Sequence, residues 1–120
     1  MRGLSTLLIL KQLMESIDSN SPPKPCDYFD MIGGTSTGGL IALMLGRMRL
    51  TVDECIAAYQ QLSPKIFTKI HHRINLSSGE TQGRFDHKAL EDGVKKLLVT
   101  YNRSAEALLK DPPELSSCKT

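Results

Sequence analysis

No stretch of the 120 residues approaches the roughly 20 consecutive apolar positions that a membrane-spanning helix requires. The run Leu7-Leu8-Ile9-Leu10 follows a basic N-terminus, but it is too short for a secretory signal and no small-residue cleavage site comes after it. Charge of one sign is scarce as well. Fifteen Lys and Arg against 13 Asp and Glu leave a net charge of +2, spread evenly, which excludes the basic footprint expected of a nucleic-acid binder. The three cysteines, Cys26, Cys55 and Cys118, form no CxxC pair and are odd in number; they suit reduced thiols in the cytosol better than a disulfide framework. Metal-ligand spacing is missing: His71 and His72 are adjacent with no carboxylate cluster nearby, so no metal is expected. No internal repeat is visible. What remains is an ordinary globular composition, 40% hydrophobic and 23% charged, in a length that fits one domain at most.

Apolar periodicity organises this chain into helices. Leu4, Leu7, Leu8, Leu10, Leu13, Met14 and Ile17 recur at three- and four-residue spacings, which predicts an amphipathic helix from about Leu4 to Ile17. The polar, proline-rich residues 18–25 end it. Tyr28 to Ile32, apolar and followed by glycines, reads as a buried strand. Gly39 to Leu45 is apolar on every side, as expected of a helix buried against a sheet. Thr51 and Glu54 form a capping-box signature for a helix with Val52, Cys55, Ile56, Tyr59 and Leu62 on its apolar stripe, ending at Ser63-Pro64. Residues 75–84 are a polar loop. Asp86 then caps a last helix with Ala89, Leu90, Val94, Leu97 and Leu98 buried, and Gly93 weakens it by about 1 kcal/mol. Tyr59, Phe85 and Tyr101 read as core or half-buried positions. Asp30 reads as a hydrogen-bonded structural carboxylate.

These elements include several helices and a single strand, and one strand makes no sheet. A strand buried on both faces needs parallel neighbours. The expectation is therefore that the 120 residues are cut from a larger domain.

Residues 33–39 read Gly-Gly-Thr-Ser-Thr-Gly-Gly, and Gly34-Thr35-Ser36-Thr37-Gly38 within them has the nucleophile-elbow spacing. Such a turn between strand and helix lifts a serine hydroxyl clear of its surroundings, and glycines on either side of the serine let two backbone segments pass where a Cβ would clash. The nearest rival is a phosphate-binding loop. Gly33 and Gly38 have its glycine spacing, but Gly39 and Leu40 stand where a lysine and a hydroxyl residue belong. No dinucleotide fingerprint can be laid over residues 33–39 either. An acyl-transfer serine is the better reading of Ser36.

Only 35 residues precede Ser36, too few for the several strands that lead an ordinary α/β-hydrolase to its elbow. Arg2-Gly3 opening directly into a leucine-rich helix instead looks like the tail of an Asp-Gly-Gly-Gly-x-Arg-Gly loop, with Met1 at the x position. Together with Phe29-Asp30-Met31-Ile32-Gly33 and Gly34-Thr35-Ser36-Thr37-Gly38-Gly39, this makes most of residues 2–100 resemble the N-terminal portion of a patatin-like phospholipase domain. The resemblance implies an α/β, three-layer α/β/α fold, here incomplete, with sheet strands missing at both ends. It puts a partial domain at residues 1–102, with the elbow at 34–38. Residues 103–120 are left as a polar tail or a connection to the missing remainder.

The resemblance also implies hydrolysis of acyl esters in phospholipids or other lipids by a Ser–Asp dyad, without metal or cofactor. Ser36 would be the nucleophile, and the Thr37 N–H would face the developing oxyanion. Arg2 and Gly3 would be the remnant of the glycine-rich loop that completes the oxyanion hole. The dyad Asp belongs to an Asp-Gly-Gly or Asp-Gly-Ala motif that is absent from this chain. Asp92-Gly93-Val94 departs from that motif at Val94, and Asp92 falls mid-helix, where a solvated carboxylate is the plainer reading. His71, His72 and His87 have no companion motif that would make any of them a triad histidine. Without a base the serine is not activated, so residues 1–120 are expected to be inactive alone. The segment Lys65–Ile74 interleaves basic and apolar residues and has two readings, a lipid-surface contact or a cover packing on its own domain. The partners implied are a lipid substrate and transient contact with a membrane surface, in the cytoplasm, with no nucleic acid. The alternative is a truncated, non-catalytic segment of the same family serving as an interaction or signalling module.

Overall fold

Sixteen residues, Arg2–Ile17, form helix α1, with Gly3, Leu7 and Met14 buried along one stripe. The computed structural model describes residues 2–67, 87–110 and 118–120. Expectations for Lys65–Ile74, His71, His72, the 75–84 loop, Phe85 and Asp86 lie outside those residues or rest on side chains outside them, as does the side chain of His87. The chain divides into two compact units, Met1–Tyr59 with Ala107–Thr120, and Gln60–Glu106.

In the first unit α1 is longer in apolar character than its burial requires: Leu8, Ile9, Leu13 and Ile17 are exposed. Residues 18–24 leave the helix, and Asp18 accepts from the backbone N–H groups of Asn20 and Ser21, a local turn of the kind aspartate favours. A short helix α2 follows at Pro25–Tyr28, with Pro25 in its first turn where a missing N–H costs nothing. Helix α3 spans Thr37–Ala42 and runs into a π-helical turn, Leu43–Arg47, in which the Met48 N–H reaches back to the Leu43 carbonyl at 2.9 Å. Ile41, Ala42, Met44 and Leu45 are buried, in keeping with the all-apolar run. α3 packs on α1, and the π turn on α2. Arg49 adopts a left-handed conformation (φ 58°) that stops the π turn, and its guanidinium pairs with Asp27 at 2.7 Å.

Helix α4, Val52–Phe67, begins as the capping signature predicts. The Thr51 N–H donates to Glu54 Oε2 at 2.8 Å, and the Glu54 N–H donates to Thr51 Oγ1 at 3.2 Å. Thr51→Ala removes one side of this box and is expected to cost about 1 kcal/mol, to be read from urea unfolding of the full-length protein. The predicted stop at Ser63-Pro64 is corrected: α4 continues through Pro64 to Phe67. Proline removes one hydrogen bond, the one its own N–H would make to the turn before it, and the rest of the helix carries that loss.

The second unit holds helix α5, His87–Thr100, with Leu97 and Leu98 buried. It ends in a Schellman pattern. Asn102 is left-handed (φ 55°), the Arg103 N–H bonds the Leu98 carbonyl at 2.8 Å, and the Asn102 N–H bonds that of Val99 at 3.1 Å.

The α/β expectation is overturned. Among the described residues there is no strand and no sheet, only a single parallel bridge between Met31 and Lys119. The Ile32 N–H donates to the Lys119 carbonyl at 2.8 Å, and the Lys119 N–H to the Asp30 carbonyl at 2.9 Å. Tyr28 belongs to α2, and Met31, read as buried, is 70% exposed. The physical reason is pairing: a strand needs a ladder of extended neighbours, and among the described residues the pairing of this segment is that one isolated bridge. Asp30 is exposed, and it is its backbone carbonyl, not its carboxylate, that holds Lys119. No helix among the described residues is long and apolar enough to cross a membrane.

Candidate active site

Ser36 is the turn residue that precedes α3. Serine at that position ordinarily turns its hydroxyl back onto the helix N–H groups. Here it does not. Its backbone is held at φ 54°, ψ −126°, far from the extended conformation of an ordinary cap, and its side chain makes no capping hydrogen bond. A non-glycine residue there costs about 1–3 kcal/mol, and such strain persists only where the surroundings impose it. The hydroxyl is left exposed and without a hydrogen bond among the described residues. Ser36→Gly is expected to be more stable than Ser36→Ala by about 1 kcal/mol in urea unfolding, because glycine adopts positive φ without strain.

The glycines explain how the strain is imposed. A Cβ on Gly34 would collide with the Gly38 carbonyl group and come within 2.9 Å of the Gly39 nitrogen. On the other side, a Cβ on Gly39 would lie 3.3 Å from the Gly34 oxygen. Main chain therefore presses on main chain across the turn. Gly38 itself faces open space, and so does Gly33. The close approach needs Gly34 and the backbone, not the side-chain position, of Gly38.

Within the turn the N–H groups are unequally used. Gly38 donates to the Thr35 carbonyl at 2.9 Å and Gly39 to that of Ser36 at 3.0 Å. Thr37, first in α3, has no intrahelical carbonyl to meet, and its N–H has no acceptor among the described residues. One exposed hydroxyl and one uncommitted amide thus stand on adjacent residues. Thr35 is exposed beside them.

Arg2 and Gly3 form the first turn of α1, Arg2 exposed and Gly3 buried against the ring of Tyr59. Asp92 is exposed in the middle of α5, a solvated helix carboxylate. Among the described residues no group of histidine, cysteine and carboxylate side chains is placed to hold a metal ion. The cysteines offer no rival nucleophile. All three are buried; burial pushes the Cys26 thiol up against the opposing pull of Arg49, and pushes Cys55 up to about 12. A cleft lined by Lys11, Met14, Glu15, Pro22, Pro23, Thr51, Val52 and Asp53 does not include Ser36, and Lys11 bridges it to Asp53 at 2.7 Å.

The model of one protein family, patatin-like phospholipase, matches residues 1–113. The chain belongs to that family. Among curated relatives, phospholipase A I of Arabidopsis thaliana is 38% identical over 69 residues, 58% of this chain and 5% of that protein. Patatin-16 of Solanum tuberosum is 34% identical over 84 residues, 70% of this chain and 22% of that protein. Patatin-1-Kuras 2 from the same plant is 35% identical over 85 residues, covering the same shares. The chain thus spans at most about a fifth of the length of these patatin-like relatives. No solved structure matches it.

Two features of this patatin-like chain escaped sequence reasoning. One is the Lys119 pairing with Met31: residues 118–120 carry no strand signal of their own. The other is the seating of Tyr59 on Gly3, for which the only sequence trace is a tyrosine on an apolar helix stripe.

Proposed function

We propose that this chain carries the nucleophile of a serine acyl hydrolase that cleaves fatty-acyl esters of phospholipids or other lipids. The observation that carries the proposal is the strained, uncapped Ser36, exposed beside the uncommitted N–H of Thr37. Membership of the patatin-like phospholipase family supports the same chemistry.

The proposed reaction begins with attack of Ser36 Oγ on the ester carbonyl, its proton passing to a carboxylate base. The tetrahedral intermediate puts negative charge on the former carbonyl oxygen. The Thr37 N–H and donors of a glycine-rich loop entering α1 at Arg2-Gly3 stabilise it, each typically worth about 10²–10³ in rate. Collapse expels the lipid alcohol, which takes the proton from the base, and water then cleaves the acyl-serine by the same route in reverse. The base is proposed to be an aspartate outside residues 1–120, since Asp92 is an exposed helix residue and Asp30 an exposed loop residue. The proposed setting is the cytoplasm, with transient contact with a membrane surface.

The test uses the full-length protein and a fluorophosphonate probe, which modifies activated serines. Labelling of wild type that is lost in Ser36→Ala supports the proposal. Equal labelling of both, or none of either under conditions where a lipid ester is hydrolysed, would sink it. A protein that folds, takes no label and hydrolyses no ester would favour the non-catalytic segment.

A further inference from the structure

Two serines of the chain stand directly before a proline, Ser21 and Ser63, and their surroundings are opposite. Ser63 is 3% exposed inside α4, with Pro64 next in the same helix. Ser21 is exposed in the loop between α1 and α2, and its hydroxyl makes no hydrogen bond among the described residues. Proline shapes the backbone there. Pro22 and Pro23 have φ fixed near −65°, and any residue ahead of a proline is driven out of the helical region into extended backbone. Ser21, Pro22 and Lys24 all stand ahead of a proline. Lys24 shows the result at φ −67° and ψ 139°, a polyproline-II conformation.

Exposure selects what a partner can read in this loop. Pro22 and Pro25 have the spacing of a proline-rich docking motif, but Pro25 is buried in the first turn of α2, so a groove that seats two prolines would meet one. Pro23 is half-buried along the cleft beside Lys11. The groups left clear are a hydroxyl at Ser21, the proline ring after it and a cation three residues on at Lys24. A proline-directed protein kinase reads that set on extended backbone. Proline is selected after the acceptor because any other residue brings an N–H that an apolar pocket leaves unpaired, and the cation is selected by opposite charge on the enzyme.

We infer that Ser21 is a phosphorylation site, taking the γ-phosphoryl group of ATP from a proline-directed serine/threonine kinase that also reads Lys24. The bond from Ser21 Oγ to the γ-phosphorus forms as the bond from that phosphorus to the β–γ bridging oxygen breaks. ADP leaves, and the hydroxyl proton passes to the kinase's carboxylate base. The inference rests on the cytoplasmic setting proposed above, where ATP is present, and is independent of chemistry at Ser36. The modified loop is expected to loosen. Asp18, just past the end of α1, accepts the N–H groups of Asn20 and Ser21 at 3.0 and 3.1 Å. A phosphate on Ser21 sets a charge of about −1.5 to −2 beside that carboxylate and near the negative end of the helix. Of residues 18–24 only Lys24 is cationic, one attraction against two sources of repulsion.

The test incubates the folded full-length protein with a purified kinase of this class and magnesium ATP, and locates phosphate by peptide mass spectrometry. Phosphate is expected at Ser21, and at Ser63 only after heat denaturation. Pro22→Ala is expected to slow transfer to Ser21 by about tenfold or more, and Lys24→Ala by about threefold. No phosphate at Ser21 in the folded protein, phosphate there only after denaturation, or a rate indifferent to Pro22→Ala would each overturn the inference. The thermal midpoint of the phosphorylated protein is expected to fall by about 2 °C, with no change in Ser21→Ala treated alike. A midpoint that holds despite full modification would overturn the loosening of the loop. Protein isolated from its own cells under phosphatase inhibition should carry phosphoserine at position 21. Its absence there, alongside efficient transfer by the purified kinase, would overturn the proposal through its setting and leave the geometry of the site standing.

Discussion

Ser36→Ala in the full-length protein is expected to lower kcat on a lipid ester by about 10⁴–10⁶-fold while leaving the fold intact. The loss is large because Ser36, as the proposed nucleophile, would form the covalent bond; oxyanion donors alone retain only a residue of the acceleration. Stability is expected to hold because Ser36 is exposed and its hydroxyl makes no capping bond that alanine would remove. Alanine also keeps the same unfavourable backbone geometry, so the turn is neither relieved nor further strained. Circular dichroism and the thermal midpoint would match wild type while turnover disappears. A loss of activity accompanied by unfolding would not discriminate, but a folded Ser36→Ala that retains turnover would remove Ser36 from the chemistry.

Gly34→Ala is the second large effect. Its added methyl would meet backbone atoms of Gly38 and Gly39, and backbone cannot step aside as a side chain can. Overpacking of this kind costs about 1–3 kcal/mol or more. It is also expected to pull the turn open, so Ser36 labelling should fall together with the thermal midpoint. The neighbouring Gly33→Ala is the control, since nothing lies within 4 Å of where its methyl would stand. That change should leave stability within about 0.5 kcal/mol of wild type, as for substitutions away from packed features. Two adjacent glycines in one motif are therefore expected to differ sharply. Equal tolerance at both positions would mean that the close backbone contact is not what shapes the turn.

How much was legible in advance followed the range of the interactions. Helix α1, the Thr51–Glu54 box and the close of α5 near residue 100 depend on contacts three to five residues apart, which a linear sequence displays. The position of Ser36, and the need for glycine at 34, are local in the same sense. That Tyr28–Ile32 forms no strand was not legible. Tyr28 is β-prone, but Pro25 presets a helical turn that claims it, and whether the next residues pair depends on distant chain. Pro64 misled in the opposite direction, because the rest of a long helix can carry the single hydrogen bond that a proline removes. Tyr59 was legible as buried and not as a partner of Gly3, since that contact joins two helices whose crossing the pattern of apolar residues does not specify.

The bridge between Met31 and Lys119 has a consequence in time. Synthesis delivers the serine turn before residue 119, and the two hydrogen bonds that tie down its approach wait for that residue to leave the ribosome. All of Gln60–Glu106 is made in between and forms a compact unit. Contacts of such long sequence separation close late and raise the folding barrier, because the intervening chain must first be ordered. Between the emergence of Ser36 and that of residue 119 the serine turn therefore stays without these two bonds, and is tied down only once residue 119 has been made.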